Sequence, residues 1–229
     1  MEFILMLTRD DRTVADAHSL VDLFADAGVR HIGFKDVGIP LAELAPLAAH
    51  ISARGATSYL EVVSVSADDE QQSVRAALDL GVDNVLGGTR VAEATEILAG
   101  SAIRYWPFLG DVRGHPSQLH GSIESIVDQA KRWSELDSVH GFDLLAYRYA
   151  GNAEALARAV VAAAGVPVIA AGSVDSAERI SSLGEAGAHG FTIGTALLDR
   201  SLKIDAPSSS LADLARAVLV ATQTASRAR

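Results

Sequence analysis

Apolar runs of six to eight residues recur along the 229-residue chain and alternate with longer Ala- and Leu-rich stretches of helical period. Continuous rather than alternating apolar runs suit strands buried on both faces, and parallel strands need a helical crossover between them. The strands read as FILMLT (3–8), HIGFKD (31–36), TSYLEVVS (57–64), DNVLGG (83–88), RYWPFLG (104–110), FDLLAYR (142–148), PVIAAG (167–172) and GFTIGT (190–195). Helices are predicted over 13–27, 40–53, 68–80, 91–99, 122–136, 152–164, 175–186 and 210–225. Gly28, Gly81, Gly165 and Gly187 stand where C-caps are expected, and Asp68 and Asp175 where N-caps are. Eight such units in unbroken succession predict an α/β fold, a (β/α)8 TIM barrel forming a single domain over 1–229.

Alternation along the strands assigns side chains to the lumen. If Ile32 and Phe34 face the helices, Gly33 and Lys35 point inward; if Leu60 and Val62 face outward, Tyr59 and Glu61 point inward. Lys35 and Glu61 then meet from adjacent strands near their C-terminal ends, where catalytic groups of such barrels sit. Charges in an apolar barrel are costly unless paired or used. A lysine there polarises a carbonyl or, if desolvation lowers its pKa, forms a Schiff base; a glutamate takes the proton from the neighbouring carbon. Asp10, in LTRDD, is the third catalytic candidate, with a cap on the first helix as its structural alternative. Asp36 and Arg148 are candidate substrate ligands at strand ends, and Arg90 reads as a surface cation. The polar, Gly- and Pro-containing segment DVRGHPSQLHG (111–121) is a candidate lid that would bring Arg113 and His115 over a substrate; its alternative is a solvated loop.

Two segments, AAGS (170–173) and IGTA (193–196), place a glycine and a small hydroxyl residue at the ends of consecutive strands. Loops after the seventh and eighth strands of a barrel lie side by side and form a phosphate site. On that reading Gly172, Ser173, Gly194 and Thr195 bind phosphate, the glycines being there because a Cβ would block its approach.

The stretch PVIAAGSVDSAERISSLGEAGAHGFTIGTALLD (167–199) resembles the C-terminal quarter of the ribulose-phosphate-binding barrels. The similarity is to the phosphoribosyl-formimino isomerases of histidine biosynthesis and the N-acetylmannosamine-6-phosphate epimerases. The resemblance implies phosphate binding through backbone groups at Gly172, Ser173, Gly194 and Thr195. It also implies aspartates near the ends of the first and the fifth or sixth strands; Asp10 and Asp111 lie near such places, within different flanking motifs.

A net charge of −10 and only three lysines argue against nucleic acid or an anionic membrane as partner. Without cysteine, disulfides and thiolate chemistry are excluded. His31, His140 and His189 precede their strands and so belong to the face opposite the site, and neither a metal nor a cofactor is expected. The N-terminus carries no basic, cleavable leader, which makes the cytoplasm the expected location. The apolar stretch LAELAPLAAHI (41–51) makes a homodimer the expected assembly if one forms. Three functions fit: an isomerase or epimerase moving a proton next to the carbonyl of a small phosphorylated sugar or sugar acid; a Schiff-base aldolase or lyase using Lys35; and a phosphometabolite-binding regulator without catalysis.

Overall fold

The computed structural model describes residues 1–227. Among them, eight strands form one parallel sheet: β1 Glu2–Met6, β2 His31–Lys35, β3 Thr57–Val62, β4 Asn84–Gly87, β5 Arg104–Trp106, β6 Phe142–Leu144, β7 Val168–Ala170 and β8 Gly190–Ile193. Neighbours run in the order β6, β7, β8, β1, β2, β3, β4, β5. The ring closes just beyond β5, where Phe108 bridges Asp143. Pro107 has no N–H to give the ladder, so the pairing uses its carbonyl, which accepts from the Asp143 N–H at 2.9 Å.

The helices are α1 Ala17–Asp26, α2 Leu41–Ala53, α3 Ala67–Leu80, α4 Val91–Leu98, α5 Ile123–Trp133, α6 Ala153–Ala163, α7 Ala177–Ala186 and α8 Leu211–Arg227, with a short helix Thr195–Leu198 after β8. None is long and apolar enough to cross a membrane. Two expectations about their starts are corrected. Ser66 and Ser176, not Asp68 and Asp175, are the N-caps, accepting from the N–H groups of Asp69 and Arg179. Asp68 instead falls inside the first turn of α3, where a carboxylate faces the positive end of the helix. And α1 begins at Ala17 rather than near 13, because Thr8–Arg9 pairs with Arg12–Thr13 in a small hairpin first. The apolar residues of α2 that suggested a dimer face, Leu44, Leu47, Ala48 and Ile51, are buried within the chain itself.

The lumen is filled in layers. Ile4, Met6, Tyr59, Leu86, Trp106 and Ile169 make an apolar cluster separate from the larger core between sheet and helices. Trp106 plugs the lower barrel, its indole N–H donating to Asn84 Oδ1 at 3.0 Å. Gly141, just before β6, has to be glycine because a Cβ there would collide with that ring. Above this layer the inward positions become ionisable: Lys35 and Glu61 stand directly opposite each other in the β2–β3 register.

Segment 111–121 is a second hairpin, Asp111–Arg113 against Gln118–His120. Leu119 is fully buried and bridges Tyr149, so the hairpin is packed onto the barrel rim at its base rather than solvated throughout.

Candidate active site

A cavity of about 400 Å³ opens at the C-terminal ends of the strands. Met6, Lys35, Glu61 and Thr192 line it from the strands; Asp10, Asp11, Arg148, Pro116 and Gln118 form its sides; residues 172–175 and 194–196 form the opposite rim.

Lys35 Nζ lies 2.9 Å from Asp11 Oδ1 and 3.2 Å from Glu61 Oε1. Arg148 grips the same Asp11 with two nitrogens, Nη2 to Oδ1 at 2.7 Å and Nη1 to Oδ2, and Nη1 also donates to the Ser117 carbonyl at 3.3 Å. Side-chain exposure is 5% for Lys35, 6% for Asp11 and 3% for Glu61, so these pairs are little screened by solvent. Burial opposes ionisation of Asp11, but the hydrogen bonds from Arg148 and the charge of Lys35 outweigh it and hold its carboxyl far below the usual range. Burial likewise disfavours the Lys35 ammonium, yet Glu61 and Asp11 together raise its pKa, so the amine stays protonated.

Asp11 is a functional candidate that the sequence reading missed. Asp10 and Asp11 both have positive φ, 50° and 59°. They are the two central residues of the hairpin whose strands pair Thr8 with Thr13 and Arg9 with Arg12, the conformation of a type I′ turn. Thr13 locks the hairpin to β2 through its hydroxyl, which bonds both the N–H and the carbonyl of Lys35. The turn sends Asp11 inward and leaves Asp10 exposed on the cavity rim, its N–H donating to Thr195 Oγ1 at 3.0 Å. The available signal was the segment TRDDRT, two Asp residues flanked symmetrically by residues able to pair.

Three substrate-ligand candidates do not line the cavity. Asp36 accepts from the Val63 N–H at 3.0 Å and the Ser64 hydroxyl at 2.5 Å, which fastens the loop after β3. Arg113 is exposed and paired with Asp111 on the outer hairpin. His115 is exposed at the hairpin tip, while its neighbour Pro116 reaches the cavity. Arg90, read as a surface cation, is bound to the buried Glu70 carboxylate.

Gly172, Ser173, Gly194 and Thr195 all lie on one rim of the cavity, and the packing around their glycines supplies a reason of its own for the missing Cβ. A Cβ on Gly172 would stand 2.7 Å from Arg148 Nε, and one on Gly194 would meet Thr8, 3.0 Å from its carbonyl oxygen. Each glycine therefore admits a side chain or backbone of the protein, a packing requirement that holds whether or not a ligand reaches the rim. The same packing presses the Arg148 guanidinium against the 172 turn, which places a cation beside this rim. Asp175, also on the rim, is neutralised by Arg179 at 2.9 Å and Lys203 at 3.5 Å.

Asp143, on β6, also went unassigned from sequence. Its side chain is wholly buried and neither carboxylate oxygen has a hydrogen-bond partner among the described residues. Burial, then the charge of Glu61, push its carboxyl well above the ordinary range. Among the described residues no group of three or more His, Asp or Glu side chains is arranged to hold a metal ion. His31 and His189 sit at the far end of the barrel around Glu2.

No protein-family model and no curated protein sequence matches the chain. Solved structures do. A cube-shaped, highly porous protein cage designed by fusing symmetric oligomeric domains is 16% identical with a TM-score of 0.69, covering 100% of this chain and 74% of that one. The Amycolatopsis orientalis BexX/CysO complex is 16% identical with a TM-score of 0.65, over 98% and 88%. The native KDPGal structure is 15% identical with a TM-score of 0.68, over 99% and 97%. At such identities the likeness establishes the TIM-barrel fold and nothing about the reaction.

Proposed function

We propose that this protein is an enzyme that moves a proton next to the carbonyl of a small anionic sugar or sugar acid, an isomerase or epimerase. One observation carries the reading: a buried set of ion pairs, Asp11–Lys35–Glu61 and Asp11–Arg148, forms the floor and wall of a cavity open at the C-terminal end of a barrel. A substrate carbonyl oxygen placed toward Lys35 is polarised by a fixed ammonium, while Glu61 accepts the proton from the adjacent carbon. The electron pair of the broken C–H bond passes to the carbonyl oxygen, and the resulting enediolate faces Lys35. Return of the proton to the neighbouring carbon, with the hydroxyl proton of the first carbon passing to the oxygen that faces Lys35, completes an isomerisation; its return to the opposite face of the same carbon completes an epimerisation.

The phosphate of the substrate is assigned to the rim of Gly172, Ser173, Gly194 and Thr195, with Arg148 beside it. The likeness to ribulose-phosphate-binding barrels over 167–199 supports this placement. A Schiff-base lyase needs a free amine at Lys35, and two carboxylates within 3.2 Å keep that amine protonated; the proton-transfer reading uses the lysine as it stands. Sodium borohydride with candidate substrates separates the two by intact mass, since only the lyase leaves a lysine adduct.

The test is a thermal-shift screen against phosphorylated sugars and sugar acids, followed by turnover assays on those that bind. Glu61→Gln is expected to lower kcat by about 10²–10⁴-fold, the usual worth of a positioned proton acceptor, while ligand binding persists. Unchanged turnover in that variant rejects the assignment. A ligand that binds and is never converted points to a regulator instead.

A further inference from the structure

The proposed chemistry leaves one group at the barrel floor without a task. Asp143 occupies the register where the ring closes on Phe108, its side chain is inaccessible, and both its oxygens lack partners among the described residues. The charged groups around it are Glu61 from β3, Lys35 from β2 and Arg148 from the turn after β6. Both cations are already engaged, Lys35 by Asp11 and Glu61, Arg148 by Asp11. Those two cations balance those two carboxylates, so the cluster is neutral without Asp143 and carries one negative charge if Asp143 is ionised. A buried carboxylate with no hydrogen bond and no cation to itself takes up a proton rather than remain charged.

We infer that Asp143 is a positioning residue stored as the neutral acid, whose missing charge lets the Asp11–Lys35–Glu61–Arg148 cluster become cationic when Glu61 accepts the substrate proton. The inference rests on the proton-transfer reading for the step it serves; the stored proton itself does not. In that step the C–H electron pair becomes the enediolate, the proton neutralises Glu61, and the cluster then carries one positive charge against the new negative one. With Asp143 ionised, the same enediolate would face a cluster of no net charge, and an anionic substrate would approach a negative floor. The arrangement thus favours a ligand that is neutral or anionic at the floor and gains negative charge there during reaction, over a cationic one.

Carbon-13 NMR of protein labelled at the aspartate carboxyl, with Asp143 assigned by comparison with Asp143→Asn, reads the protonation state without a substrate. The Asp143 signal is expected at the protonated-acid position at about pH 7 and to move only at higher pH; a carboxylate position at about pH 7 overturns the inference. Thermal unfolding of wild type and Asp143→Asn from roughly pH 4 to pH 9 supplies a second reading. The folded group binds its proton more tightly than the unfolded one. The Asp143 contribution to wild-type stability is therefore lost as pH rises above the ordinary Asp range, until the folded group ionises, and the Asn variant has no such contribution to lose. The Tm of Asp143→Asn minus that of wild type should rise with pH; a difference independent of pH overturns the inference. Should Asp143→Asn not fold, an Asp carboxyl resonance of wild type that stays protonated at about pH 7 decides the matter.

With a substrate in hand, kcat/KM of wild type is expected to fall as the Asp143 signal shifts, a fall that Asp143→Asn lacks. The same fall in both proteins overturns the positioning role. A protonated Asp143 in a protein that binds no sugar phosphate would sink the proposed function alone. An ionised Asp143 beside a Glu61→Gln variant that has lost turnover would sink this inference alone.

Discussion

Two adjacent aspartates, identical in chemistry, have opposite surroundings. Asp11 receives Lys35 and both forks of Arg148 in a nearly closed environment; Asp10 stands exposed on the rim and contributes a main-chain N–H. Removing one partner of a buried ion pair strands the other charges and costs about 3–5 kcal/mol, whereas an exposed side chain contributes within about 0.5 kcal/mol. Asp11→Asn is therefore expected to lose a large part of the folding free energy at neutral pH, and Asp10→Asn almost none. Asn also tolerates the left-handed backbone of the turn, so neither variant is confounded by strain there. Urea denaturation of the two variants makes the comparison; equal losses would mean that Asp11 is not the anchor of the cluster.

At the scale of elements, the two hairpins that interrupt the β/α alternation build the site. The Thr8–Thr13 hairpin carries Asp11 into the lumen, and the 111–120 hairpin supplies Pro116, Gln118 and the Ser117 carbonyl that holds Arg148. The second depends on Leu119, which is fully buried at its base. Leu119→Ala is expected to cost about 2–5 kcal/mol and to weaken ligand binding together with stability, because the wall that fixes Arg148 loosens. Isothermal titration with a sugar phosphate from the screen, beside a melting curve, checks this; a destabilised variant with unchanged affinity would separate the hairpin from the site. The regular elements were legible in the sequence because burial on both faces leaves continuous apolar runs, and helices near the ring leave a 3.6 period. The hairpins were not. Their residues are polar, and whether TRDDRT pairs with itself or starts a helix depends on Thr13 finding the C-terminal end of β2 at Lys35.

For the whole molecule, the buried carboxyls set how stability depends on pH, and they act with opposite sign. Asp11 titrates below its unfolded value, so its contribution is present above the ordinary Asp range and is lost as pH falls. Asp143 titrates above its unfolded value, so its contribution is present at low pH and is lost as pH rises toward the folded pKa. Wild type is expected to lose stability in acid from about pH 5 downward, a loss that should be smaller in Asp11→Asn. Melting curves across the acid range test this, and an acid loss of equal size in both proteins would assign it to other carboxylates. Glu2, whose carboxyl is lowered by its hydrogen bond to His189 at the far end of the barrel, adds to the same acid loss without touching the cavity.

The linear order of residues by itself determined the alternation of eight strands with helices, the barrel that follows, and the inward aim of Lys35 and Glu61. All of these rest on local patterns: continuous apolar runs for the strands, alternation along a strand for the inward side chains, and a period of 3.6 residues for the helices. Only the tertiary structure decided that Asp11 rather than Asp10 enters the lumen, that Asp143 lies unpartnered beneath the ion pairs, and that Gly172 and Gly194 make room for Arg148 and Thr8. The physical reason is distance along the chain. Asp11 and Arg148 are 137 residues apart and meet because barrel closure brings their strand ends together, a contact of which neither segment carries a local trace.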